Sequence, residues 1–143
     1  MDKRKKENKK KLKSEYILTY LDMRKINKIN DELDELIYNF EKRKAYGCYF
    51  LHNKNKEIVY IGRSQNLCNR PLQSYYEKIW RNKFTSEYLS FYETETKSDM
   101  VIAEAYFINK YKPYLNKLGK YEDKITFNLG IKKPDKIYKI YLN

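Results

Sequence analysis

Residues 46–62 read YGCYFLHNKNKEIVYIG, and the fold follows from how this run divides. Tyr46–His52 and Glu57–Ile61 are rich in aromatic and branched side chains, which suit a pleated, half-buried strand. Between them stands the polar stretch Asn53-Lys54-Asn55-Lys56, whose residue types suit a tight turn. Two strands joined by a short polar link predict an antiparallel hairpin. Gly47 and Gly62, near the two ends of the run, predict close backbone approach or bending.

On the N-terminal side, 14–45 changes to a helical period. Ile26, Ile29, Leu33, Leu36 and Phe40 recur at steps of three and four, with Ile37 widening the stripe and Asp31, Glu32, Asp34 and Glu35 opposite it. This is an amphipathic helix, broken near Asn30, whose side chain could cap a second segment. Packing on the domain's own sheet is the favoured use of the stripe; a homodimer seam or a DNA-binding helix pair is the other. Residues 1–13 carry eight basic and two acidic side chains and no apolar pattern. They read as a disordered tail, serving either as an arm along phosphates or as a solubiliser.

On the C-terminal side, 66–80 reads as helical once past Pro71, which suits a first turn better than an interior. Glu87–Glu93 reads as a third strand. Ser98–Tyr111 reads as a helix with Ser98 as N-cap and Asp99 in its first turn, stopped by Pro113. Beyond Gly119, Lys124–Ile131 and Lys136–Leu142 read as two more strands, which could contact substrate but are read first as extending the sheet. The expected class is α+β: a small three-stranded antiparallel sheet flanked by helices, with an N-terminal helical extension and a C-terminal β-hairpin. The expected organisation is a tail at 1–13, the extension at 14–45, the core at 46–118 and a β extension at 119–143.

The chain has 143 residues, room for one core with short extensions. Its 31 basic against 19 acidic side chains leave a formal charge of +12, which suits a polyanionic partner, nucleic acid being the commonest. Lys, Asn, Ile and Tyr are also the residues an AT-rich genome favours, so charge supports this reading without proving it. Cys48, Cys68 and the lone His52 are too few and too scattered for a closed zinc site, which wants four ligands. Nor do they suggest a disulfide scaffold. No apolar run approaches a membrane span, and the basic N-terminus has no apolar stretch behind it, so the expected compartment is the cytoplasm.

Four signals then stand in order: Gly47-Cys48-Tyr49 opening the first strand; Tyr60-Ile61-Gly62 ending the second; Arg63 and Arg70 beyond it; and EAYFINKYKPYLN at 104–116. This series resembles the GIY-YIG nuclease family in order and spacing, over about the middle half of the chain. The resemblance implies a small three-stranded sheet flanked by helices and a metal-dependent endonuclease that hydrolyses phosphodiester bonds, here in DNA. It implies Glu104 as the ligand of one Mg2+ (or Mn2+) ion and Tyr49 as general base, with Tyr60 positioning water or phosphate. It further implies Arg70 at the scissile phosphate, and Asn116 bracing the site. Arg63 stands where some members have a lysine near the phosphate. Tyr75 stands near where many members have a histidine, and excision-repair relatives also show a tyrosine in that region. The middle of the first triplet is Cys48 and not isoleucine; strand alternation turns it away from the face of Tyr49.

The residue types make chemical sense of these roles. Cutting a phosphodiester needs an activated water, a cation on the developing charge and help for the leaving oxygen. Glu104 is the one acidic residue between Ile102 and Tyr121. A single carboxylate suffices for a magnesium ion that keeps most of its waters. A tyrosine ionises near pH 10, and cations such as Arg63, Arg70 and the metal are expected to lower that value. Most of the 16 tyrosines, however, are expected simply to pack. The competing reading is a basic nucleic-acid-binding module of the same fold that cuts weakly or not at all. A compact stand-alone enzyme of a phage or mobile element is the expected setting.

Overall fold

A computed structural model describes residues 31–74, 88–134 and 136–140. Helix α1 spans Asp31–Arg43, followed by β1 (Tyr46–His52), β2 (Ile58–Ser64), β3 (Tyr88–Thr94), α2 (Lys97–Tyr111) and the short β4 (Tyr138–Lys139). The strands form one antiparallel sheet in the order β2-β1-β3-β4. The hairpin predicted from residues 46–62 is β1–β2, with a register shift at Leu51/His52. Lys56 supplies a positive φ of 64° in its turn.

β1 lies in the middle, paired on both sides and buried along nearly its whole length. Its alternation therefore feeds two cores. One face packs Tyr49 and Leu51 with Val59 and Leu89 against Leu33, Ile37 and Phe40 of α1. The other packs Cys48, Phe50 and Ile61 against Ala103, Phe107 and Ile108 of α2. Truncating a fully buried leucine such as Leu33 to alanine costs about 2–5 kcal/mol in a core of this kind.

The apolar stripe of α1 is spent on the sheet, and the break expected near Asn30 lies outside the described residues. Within 31–43 the stripe thus takes the favoured use, packing on the domain's own sheet. Ile26, Ile29 and the tail at 1–13 lie outside the described residues. A helix covers 70–74 with Pro71 in its first turn; its expected continuation to 80 lies outside the described residues.

Two expectations need correction. The N-cap of α2 is Thr96 and not Ser98: its hydroxyl accepts from the Asp99 backbone N–H at 3.0 Å, so the helix starts earlier. The reading of 136–142 as a strand that extends the three-stranded core sheet holds at its centre, where Tyr138 and Lys139 pair with the free edge of β3 as a fourth strand and Ile140 enters the core. The C-terminal hairpin does not form: 124–131 has no strand, and the chain from Gly119 to Ile131 runs instead along α2. Among the described residues, no helix is long and apolar enough to cross a membrane.

Candidate active site

The motif residues converge on the outer edge of β2. An edge strand exposes a row of backbone N–H and C=O groups that need partners. Here the segment leaving α2 supplies them. The Leu115 N–H donates to the Val59 carbonyl at 3.1 Å. The Asn116 side chain brackets Ile61: its Oδ1 accepts from the Ile61 N–H at 2.9 Å and its Nδ2 donates to the Ile61 carbonyl at 2.8 Å. Farther along the same strand, the Glu104 carboxylate accepts from the Arg63 backbone N–H. Pro113, which ends α2, thus turns the chain into a clamp on the Tyr60-Ile61-Gly62 triplet.

Alternation along β2 sorts the functional side chains onto two faces. Tyr60 faces α1, where its ring centroid lies 6.1 Å from that of Tyr49. The Tyr49 hydroxyl is hydrogen-bonded to both Tyr60 and Ser74, and the Arg70 guanidinium is close enough to act on it. Arg63 faces α2, with its Nη1 3.8 Å from Glu104 Oε1. Glu104 is half-buried; loss of water pushes its carboxyl above the ordinary value, and Arg63 opposes that only in part. Tyr49, Tyr60, Arg70 and Ser74 thus form one group, and Arg63 and Glu104 the other, on opposite sides of the same edge. Tyr75 lies outside the described residues.

Burial outweighs the downward pull that Arg70, as expected of a nearby cation, does exert on the Tyr49 value. Tyr49 is 1% exposed, and burial, reinforced by Tyr60, pushes its phenol well above the ordinary range despite Ser74 and Arg70. Tyr60 is the member of the pair with solvent access. Ser74 was missed by the sequence reading. It is buried one helical turn after Arg70, and that spacing was the available signal.

Two other polar groups are structural. Cys48 is buried in the α2-facing core, its thiol pushed up to about 12 by burial, and its Sγ–H donates to the Met100 carbonyl. His52 is also buried, and burial lowers its value. Its Nδ1–H donates to the Lys56 carbonyl at 3.0 Å, and its Nε2 lies 2.8 Å from the Ser90 hydroxyl, which can serve it as hydrogen-bond partner.

Among the described residues, no cluster of three or more His, Cys, Asp or Glu could hold a metal. The donor set at the β2 edge is one carboxylate, only part of whose capacity is taken by Arg63. That fits a hard cation that keeps several waters and completes its shell from a phosphate, and it does not fit a closed protein cage.

The chain is similar to known proteins over its central part. Residues 45–117 match the family model described as the UvrC-like GIY-YIG domain. Among curated proteins, UvrABC system protein C of Methanosphaera stadtmanae is 38% identical over 78 residues, 49% of this chain and 13% of that protein. Its counterpart in Fusobacterium nucleatum is 33% identical over 92 residues, 60% of this chain and 15% of that protein. The chain therefore spans only a small part of the length of these relatives. Among solved structures, the N-terminal GIY-YIG endonuclease domain of UvrC from Thermotoga maritima, bound to magnesium as its catalytic divalent cation, aligns at 33% identity. That alignment has a TM-score of 0.43 and covers 51% of this chain and 84% of that one. The family model takes in the hairpin, the clamp and every motif residue from Gly47 to Asn116, and this chain belongs to the GIY-YIG family through a UvrC-like GIY-YIG domain.

Proposed function

We propose that this chain is a divalent-metal-dependent endonuclease that hydrolyses phosphodiester bonds in DNA at the outer edge of β2. The observation that carries the reading is Glu104: a half-buried carboxylate, raised by desolvation, placed beside Arg63 on the edge that Asn116 braces. Glu104 would hold one Mg2+ or Mn2+ ion, which when bound supplies Lewis-acid stabilisation of the phosphate charge and of the leaving oxygen.

The chain's own residues do the rest. Arg70, exposed at the start of its helix, would grip the scissile phosphate with a planar fork that a lysine cannot copy. Arg63, also exposed, can turn from Glu104 to the same phosphate once a cation takes the carboxylate. The two tyrosines exchange the roles expected of them. Tyr60 can be reached by an attacking water and would take its proton. Tyr49 is buried and held protonated, so it would donate a hydrogen bond to the Tyr60 oxygen and steady it as a phenolate. Asn116 would act through the Ile61 backbone, fixing the strand that carries Tyr60 and Arg63.

The test is cleavage of supercoiled plasmid and of a labelled single strand, with magnesium and with chelator. Cutting that requires the ion supports the proposal. Binding without cutting under every metal condition leaves the binding-module reading instead.

A further inference from the structure

The family domain ends at residue 117, but the chain continues as a strap along α2. The strap is pinned at several points. Gly119 lies against Ile108, and Asn109 Nδ2 donates to the Asp123 carbonyl at 3.2 Å. Ile131 packs into the α2-facing core, and the Lys133 ammonium lies 5.7 Å from the Tyr111 ring centroid. Between these pins every residue from 120 to 130 is exposed.

What the strap turns outward is unusual for a solvent-facing segment. Leu118 is 84% exposed, Tyr121 68% and Phe127 80%, and Tyr114 of the adjoining clamp is 63% exposed. Lys112, Lys117, Lys120, Lys124, Lys132 and Lys133 are interleaved with them and exposed, against only Glu122 and Asp123. Open ring faces set among cations match a strand of nucleic acid whose bases are unpaired, because the rings can stack on bases while the ammonium groups meet phosphates. Bases in a duplex are already stacked on one another and offer the rings nothing.

We infer that residues 112–133 form a binding surface for unpaired DNA, with Tyr121 and Phe127 as its stacking platforms. The inference rests on the nuclease reading above and adds the state of the substrate beside the cut. A nuclease edge flanked by such a surface would engage DNA that is single-stranded, gapped or flapped on the strap side.

The experiment measures binding of a short oligo-dT and of a duplex of equal length by fluorescence anisotropy. It is done in chelator with the full chain and with the Tyr121→Ala/Phe127→Ala variant. Both positions are exposed, so the variant is expected to keep its thermal midpoint. The expected result is about a 25-fold or greater loss on oligo-dT for the double variant, with duplex affinity changed less than twofold. An unchanged oligo-dT affinity, or an equal loss on both ligands, overturns the inference and leaves the apolar side chains to a protein partner. A wild-type chain that cuts plasmid with magnesium yet does not bind oligo-dT overturns the strap alone. A chain that neither binds nor cuts overturns the nuclease reading as well.

Discussion

The Tyr49 ring occupies the place where a side chain at Gly62 would begin. The two residues face each other across β1 and β2, and a Cβ on Gly62 would fall well inside contact distance of the ring and its hydroxyl. The third letter of the second motif is thus a requirement of the third letter of the first. Gly62→Ala is expected to displace the Tyr49 ring, to cost about 1–3 kcal/mol as overpacking, and to reduce cleavage by more than the stability loss explains. Thermal unfolding together with single-turnover cleavage checks this. A variant with native activity would mean that the Tyr49 position is unimportant.

Ser74 is expected to work through Tyr49. Its hydroxyl holds the phenol that supports Tyr60, so Ser74→Ala should slow cleavage by about three- to tenfold, the worth of one hydrogen bond. In a Tyr49→Phe background the same change should do nothing further. Additive losses across that double-mutant cycle would assign Ser74 to packing alone.

Asn116 satisfies two backbone groups of Ile61 at once and is itself buried. Asn116→Ala leaves both without their partner and should cost about 1–3 kcal/mol for each group that water cannot reach. Hydrogen exchange at the Ile61 amide should accelerate in this variant. Unchanged protection there would show that the clamp is not what holds β2.

How much of this was legible beforehand differs from feature to feature. The β1 bounds were read directly, because alternation and the Asn-Lys turn agree at 46–56. Glu104, Arg70 and Asn116 stood out as candidates through their order and spacing, although each residue type alone says little. The N-cap was misplaced because Thr96 and Ser98 are both good caps, and only the Asp99 N–H decides between them. The strap at 124–131 was misread because its alternation of apolar and polar residues is real, but nothing in a pattern says which edge is free. β3 took Tyr138 and Lys139. The raised Tyr49 value was illegible because it depends on burial by α1, and sequence shows neighbours in charge more readily than loss of water.

Burial also sets the alkaline limit of the fold. The Cys48 thiol and the Tyr49 phenol are neutral when protonated, and both have folded values above their ordinary ones. The folded chain therefore keeps these protons longer than the unfolded chain does. Their contribution is complete below the unfolded value, near 9 for the thiol, and is lost as pH rises toward about 12. Urea unfolding is expected to show stability falling from about pH 9, with the tyrosine joining near pH 10. Cys48→Ala should flatten the slope between those two values, and an unaltered slope would remove Cys48 from the account.

The central claim is that Glu104 is there for a metal and not for the fold. Because desolvation raises its carboxyl, the ionised form costs stability at neutral pH, and a neutral isostere removes that cost. The most direct measurement is Glu104→Gln assayed for magnesium-dependent plasmid cleavage beside its urea midpoint and its DNA affinity in chelator. The account predicts that cleavage is abolished, the midpoint is unchanged or higher, and affinity is retained. Cleavage at the wild-type rate in the Gln variant would contradict it.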